Sequence, residues 1–387
     1  MTGMMMKNRI IALSLFLMAI SVSIPTYSQE DKYEYNPIQT VVPWLTIAPD
    51  SRAGAMGDAG VATTPDIYSM HWNPAKFAFI DGRYGVAISY IPWLRSMVPD
   101  INIAYLSGYY RFDKKQVLSG SLTYSSYGKI EFTDDGGATQ LIVNPNEWAV
   151  DLGYSRLFSE AFSGGVAFRF IYSNLTHGYP AQGEDTKPGL SIAADISGYY
   201  HKPIDILSKK GLIALGFNIS NIGSKMSYTE SYSDFIPMNL RLGTALTYDF
   251  DRFNKISLTI DLNKLLVPTP DSTITEEQNI SVPEALFKSF YDAPGGFVEE
   301  LHEITYSYGA EYWYNNIFAL RAGYFHENAY KGKRQFFTAG AGFRMSGFTI
   351  DFSYLMPISL NHPLARTLRF SLSFDSSALR KATQVSR

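Results

Sequence analysis

The residues of this chain best placed to do chemistry lie in SRAGAMGDAGVATTPDIYSMHWNPAKFAF, residues 51–79. Gly54, Gly57 and Gly60 recur at three-residue spacing, and the backbone amides of a glycine-rich turn can cradle a phosphate. A dinucleotide fingerprint, however, needs Gly-x-Gly-x-x-Gly after a buried strand and before a helix. Here Pro43 and Pro49 break the approach, no βαβ unit follows, and no Gly-Lys-Ser/Thr completes a P-loop. Six histidines, at 71, 177, 201, 302, 326 and 362, include no pair at metal-ligand spacing. His302-Glu303 lacks the second histidine four positions on that a zinc-protease helix requires. No Gly-x-Ser-x-Gly elbow occurs, and Asp134-Asp135-Gly136-Gly137 reads as a solvated turn rather than an acid–base pair. The expectation is no enzyme, no metal and no cofactor.

The elements that hold these residues begin with an export leader. Lys7 and Arg9 precede the apolar run IIALSLFLMAI, and PTYSQ follows, so residues 1–28 read as a signal peptide cut between Ser28 and Gln29. The absence of cysteine rules out a lipoprotein anchor and disulfides alike. A net charge of −3, from 33 basic and 36 acidic residues, gives no reason to invoke nucleic acid. Only 18% of residues are charged while 15% are aromatic, a pairing that suits a wall with one face in lipid and aromatic girdles at both interfaces.

From residue 83 onward the sequence alternates with period two. In RTLRFSLSF, Leu368, Phe370, Leu372 and Phe374 oppose Thr367, Arg369, Ser371 and Ser373; in KISLTIDLN, Ile256, Leu258, Ile260 and Leu262 oppose Ser257, Thr259, Asp261 and Asn263. Such segments, about 9–12 residues long, match tilted strands crossing a bilayer. About fourteen of them, starting near 83, 101, 116, 147, 162, 189, 211, 237, 255, 304, 317, 334, 347 and 366, predict an all-β chain. The fold expected is a transmembrane antiparallel β-barrel over 83–374 with a tail at 375–387. Its polar face carries Asp151, Arg169, Asp195, Arg241, Asp261, Glu311, Arg321, Arg344, Asp351 and Arg369. Of these, Arg321, Arg344 and Arg369 are expected to pair with Glu311 and Asp351 as structural lumen charges.

Connections alternate between short turns (113–115, 159–161, 202–210, 251–254, 315–316, 346) and longer loops. An even strand number then places both termini in the periplasm. The longest loop, 264–303, carries Phe287, Phe290, Tyr291 and Phe297 around Pro294-Gly295-Gly296, and one or two short helices broken there are expected. Aromatic side chains kept in a long loop point to a partner, so these seven residues form a candidate partner-binding loop. Residues 29–82 read as an N-terminal periplasmic segment, of which 41–80 plug the periplasmic mouth. The plug motif comprises Gly54, Gly57, Asp58, Gly60, Trp72, Asn73 and Pro74, with Asn73 before Pro74 favouring a turn and Trp72, Phe77 and Phe79 as anchors.

The Asn-Pro-Ala ending of an N-terminal segment ahead of a barrel of about fourteen strands resembles the FadL-like outer-membrane proteins. More specifically, LTIAPDSRAGAMGDAGVATTPDIYSMHWNPAKFAF and SFYDAPGGFVEEL resemble the PorV (LptO) branch, a component of the type IX secretion system; the sister branch PorQ is the nearest alternative. The resemblance implies an integral protein of the cell outer membrane that shuttles cargo rather than catalysing a reaction. It would bind the C-terminal signal domain of secreted cargo leaving the SprA-type translocon. It would then deliver cargo to a surface attachment complex of the PorU sortase with PorQ and PorZ, in contact with outer-membrane lipopolysaccharide. Any link to lipid A deacylation would be indirect. The alternative that a FadL-like fold implies is a transporter of long-chain fatty acids or other hydrophobic molecules.

Overall fold

Alternating apolar and polar residues give each strand one lipid-compatible face, and the fold is the closure of those faces into a ring. The computed structural model describes residues 35–377 apart from 96, 99, 134, 135, 181–183, 207, 231, 271–279, 360 and 361. The export leader, Asp134-Asp135 and the tail beyond Ser377 lie outside the described residues. The strands are β1 (Tyr84–Pro92), β2 (Ile101–Arg111), β3 (Gln116–Tyr127), β4 (Ile130–Thr133), β5 (Thr139–Val143), β6 (Asn146–Leu157), β7 (Phe162–Asn174) and β8 (Gly189–Ile206). There follow β9 (Lys209–Gly223), β10 (Asn239–Asp249), β11 (Asn254–Leu265), β12 (Thr305–Tyr314), β13 (Phe318–His326), β14 (Gln335–Met345), β15 (Phe348–Pro357) and β16 (Leu368–Asp375).

Fourteen of these form a closed antiparallel meander, with β1 sealed to β16 in the register Gly85↔Asp375 to Tyr90↔Phe370. All fourteen start within two residues of the positions expected. β4 and β5 stand apart as a separate hairpin within the long connection between β3 and β6. The 202–210 connection differs from the expected turn: β8 and β9 continue to Ile206 and from Lys209, so most of it is strand.

Exposure follows the period. On β1 the pattern is strictly alternating, with Val86, Ile88 and Tyr90 outward and Ala87 and Ser89 inward. Leu152, Phe168 and Ile192 stand 69%, 68% and 67% exposed in mid-strand, which only a hydrocarbon surround makes favourable. Exposed Phe112, Phe158, Phe250 and Phe348 ring the short-turn rim, and Tyr124, Tyr308 and Phe337 the long-loop rim. These are the two aromatic girdles.

The lumen is filled by residues 35–83, in short turns of helix at Pro43–Thr46, Ser51–Gly54, Ser69–Trp72 and Pro74–Phe79. The expectation of a segment confined to the periplasmic mouth is corrected here. At the long-loop end, the Asn36 amide donates to the Tyr330 carbonyl at 2.9 Å and the Val41 amide to that of Phe235 at 3.1 Å. Val42, Trp44 and Leu45 are buried with Ile236, Met238, Leu266 and Val267, loop-end residues that supply the apolar cover these side chains need. At the opposite end, Ser155 and Ser163 donate at 2.7 Å to the carbonyls of Pro74 and Ala75. The segment therefore traverses the barrel.

An arginine at Leu258, half exposed on the outer wall, should cost about 2–4 kcal/mol in a folding titration into bilayers. At Ser257, half-buried near the short-turn rim, the same change should be milder. Ser353 also faces the lumen but is fully buried, on the strand against which the 51–54 helix packs. Arginine there should be at least as damaging as at Leu258.

Candidate functional site

The glycine triplet takes its meaning from how closely the plug approaches the wall. Gly57 has φ +66°, and a Cβ there would lie 2.5 Å from the Tyr324 carbonyl oxygen. A Cβ on Gly60 would lie 2.4 Å from the Trp72 ring. The plug amides are taken up by wall side chains: Gly57 donates to Thr338 Oγ1 at 2.9 Å, and Gly60 and Val61 to Asp261 Oδ2 at 2.7 and 2.9 Å. Asn73 Nδ2 donates to the carbonyls of Val61 and Gly198, both at 3.0 Å, while its Oδ1 accepts from Ala75 and starts the Pro74–Phe79 turn. Asp50, which sequence reasoning missed, caps the 51–54 helix through Ala53 N at 2.8 Å and accepts from Trp72 Nε1 at 2.7 Å. The spacing of an aspartate just ahead of a short helix was the available signal. The motif is a fitted plug.

The lumen charges do pair, but largely with the plug. Arg321 bridges Glu311 and Asp351 at 2.8 and 2.7 Å across three strands, as expected. Glu311 also takes Arg52 of the plug at 2.8 Å, and Arg52 reaches Asp66 at 2.7 Å. Arg369 meets Asp58 of the plug, at 3.4 Å, rather than a strand carboxylate. Arg344 departs from the expectation: it is exposed near the short-turn rim, donates to Thr349 Oγ1 at 3.2 Å and lies 4.5 Å from the centre of the Trp313 ring. A second network joins Arg169 to Asp151 at 2.5 Å and to Asp195 at 3.3 Å.

The 264–303 loop forms two short helices, Val282–Lys288 and Phe297–His302, with Gly296 at φ +72° turning the chain between them. The second has its charges inward. Glu299, Glu300 and Glu303 are each 6% exposed. Lys264 holds Glu300 and Glu303 at 2.9 and 2.5 Å, and Lys331 holds Glu299 and Glu303 at 2.5 and 3.0 Å. Lys264 lies at the end of β11, and Asn36 of the N-terminal segment donates to Glu299 at 3.5 Å, so this helix packs on the long-loop end of the barrel. Its apolar residues face away from the protein, Phe297, Val298 and Leu301 being 75%, 49% and 44% exposed; Phe287 of the first helix and Tyr291 between the two are 74% and 73% exposed, and Phe290 is half exposed. Burial pushes the Asp292 carboxyl up to about 6, reinforced by Glu300 and Glu303 and opposed by the Thr269 amide and Lys264. The Tyr-rich segment 227–235 behaves differently, because Tyr228 bonds Ser173 and Phe235 is buried, leaving Tyr232 as its exposed aromatic.

Between plug and loops lies a cavity of about 790 Å³. Ile38, Trp44, Trp93, Phe325, Phe336 and Leu364 are among its apolar walls, and Asp58, Trp72, Arg241 and Arg369 contribute its polar lining. Among the described residues no cluster of His, Cys, Asp and Glu could hold a metal ion.

The sequence model of a family described as type IX secretion system protein PorV matches residues 28–272, more than half of the chain. No curated relative matches it. Among solved structures, the toluene transporter TodX of Pseudomonas putida is 13% identical, with a TM-score of 0.50 over 88% of this chain and 98% of that one. The CymD monoaromatic hydrocarbon channel is 12% identical, with a TM-score of 0.51 over 85% and 98%. Identities this low show a shared fold, that of FadL-like outer-membrane barrels.

Replacing Glu311 by glutamine should cost about 3 kcal/mol, the lower end for stripping a partner from buried charges, because Arg52 and Arg321 each keep a second carboxylate. Urea unfolding in detergent measures this. Asp292 titrates in the loop. An acid with a raised folded-state pKa favours the folded loop most below its ordinary range, and that advantage is lost as pH rises toward about 6. Resistance of the loop to limited proteolysis should therefore fall between about pH 4 and pH 6, and Asp292→Asn should flatten that dependence.

Proposed function

The chain belongs to the PorV family of type IX secretion proteins, and from that premise we propose that it is an outer-membrane cargo receptor. In this reading the long-loop end faces the cell exterior. It binds the C-terminal signal domain of cargo released by the SprA-type translocon and passes it to the PorU sortase, alongside PorQ, PorZ and lipopolysaccharide. With that orientation the end of β16 at Asp375 lies on the periplasmic side and Tyr35 at the exterior end. The single observation that carries the docking role is the outward aromatic surface of this loop, where Phe297, on a helix whose carboxylates are buried, stands exposed with Phe287, Phe290 and Tyr291 of the preceding segment. Aromatic anchors on a helical support order few side chains on binding.

A second reading, a FadL-like transporter of hydrophobic molecules, is favoured by the cavity beneath the loops and by the fold shared with TodX and CymD. Against it stands the fitted plug, whose release would strip many buried hydrogen bonds at once.

The double substitution Phe290→Ser and Phe297→Ser should leave a folded, heat-modifiable barrel, since neither residue lies in a strand. Surface-attached cargo, measured by whole-cell protease accessibility, should fall at least about tenfold if these anchors are hot spots. Undiminished cargo capture and sortase binding would remove the loop from the docking surface, and normal secretion in a deletion strain would remove the receptor reading.

A further inference from the structure

The outer wall is not evenly convex. On their lipid face, β2, β3 and β6 carry a groove of about 490 Å³, within the range of a ligand pocket. Its floor is Gly108 and Gly120, paired directly across β2 and β3, and exposed Leu152 and Phe168 stand along one side. The backbone does not demand glycine at either position. Neither has a positive φ, and a Cβ on either would lie 3.2 Å from the nearest atom, against 2.5 Å at Gly57. A glycine inside a strand weakens it and often marks the close approach of a ligand. Strand pairing beneath the groove is unbroken, so it is a dent in the wall and not a way into the lumen.

The end of the groove nearest the short-turn rim is flanked by guanidinium groups. Arg83 donates to the Tyr110 hydroxyl at 3.0 Å and lies 5.7 Å from the centre of that ring, which lines the groove. Arg156 is exposed two positions beyond Tyr154, another lining residue, on the same face of β6 and nearer the rim. Among the described residues neither arginine has a carboxylate within ion-pair distance. Asp113, in the β2–β3 turn, is taken up by the Lys115 and Gln116 amides at 2.7 and 2.8 Å and by Gln116 Nε2 at 2.8 Å. A concave apolar surface inside a bilayer suits an acyl chain, and guanidinium groups at the interface pair bidentately with phosphate. A partner's apolar segment would fill the groove but leave both arginines without an anion.

We propose that this groove binds one phospholipid of the leaflet at the short-turn end, with an acyl chain over Gly108 and Gly120 and the phosphate at Arg83 and Arg156. The site lies on the outer wall, apart from the plug and the aromatic loop, and does not depend on the docking role given to that loop.

Native mass spectrometry of the full chain, loaded in detergent with dioleoylphosphatidylglycerol, tests this. One phospholipid should stay bound, and dioleoylglycerol, which lacks the phosphate, should be retained about tenfold or more weakly. The pair Gly108→Val and Gly120→Val fills the groove, and the pair Arg83→Gln and Arg156→Gln removes the phosphate ligands. Each pair should lower retention about tenfold, heat-modifiability reporting that the barrel is folded. Retention untouched by the valine pair would overturn the proposal, because the rim arginines alone would then account for binding. Failure of the unmodified chain to retain the phospholipid would also overturn it and leave the groove to a partner's apolar segment. So would groove-dependent retention of lipid A in place of phosphatidylglycerol, an outcome that assigns the site to the lipid of the other leaflet.

Discussion

The structure depends on how an irregular backbone is satisfied inside a closed barrel. Residues 48–80 form only short turns of helix, so most of their amides and carbonyls cannot pair within a regular element. Left unpaired in a sealed lumen, each would cost more than a typical hydrogen bond contributes. The wall supplies the partners: Ser107, Ser155 and Ser163 donate to plug carbonyls, and Thr338, Ser371 and Asp261 accept from plug amides. The small polar residues on the inward faces of the strands thus bond one particular plug in one particular position. Lys76, wholly buried, completes the arrangement by donating to the Gly60 carbonyl at 2.8 Å and to Thr63 at 2.9 Å.

Charge reinforces position more than stability. Buried ion pairs recover little net energy over apolar packing, but a misplaced plug would strand several charges together. Arg52 ties plug to β12 through Glu311, Arg321 ties β12 to β13 and β15, and Arg369 ties β16 back to Asp58. Displacing the plug to open a conduit would break this network along with the serine contacts. A receptor that keeps its lumen shut is therefore better served by this interior than a channel that must clear it.

Much of this was legible in the sequence because period two is a local property. The strand starts, the breaks at Pro294-Gly295-Gly296 and the Arg321–Glu311–Asp351 set follow from alternation and turn chemistry. What escaped depends on distance in space. The route of residues 35–47 could not be read, because PIQTVVPWLT has no period and its apolar residues are buried by loops nearly two hundred residues or more away. The β4–β5 hairpin is too short and too exposed to give a clear pattern. Arg344 shares the lumen parity of its strand but sits near the rim, where solvent and the Trp313 ring replace a carboxylate.

The loop helix shows the same limit from the other side. FVEELHE carries Phe297, Val298 and Leu301 on one side and Glu299, Glu300 and Glu303 on another, which as sequence reads as an ordinary amphipathic helix with its apolar face inward. Its reversal is decided by Lys264 and Lys331, one on a barrel strand and one in a separate loop. Lys264 was the available clue: an ammonium at the end of a barrel strand calls for a carboxylate to cover it. Once two lysines fix the carboxylates against the barrel, the apolar face has no place inside. An outward aromatic surface is then a direct consequence of where the cations lie, and it remains exposed until something apolar meets it.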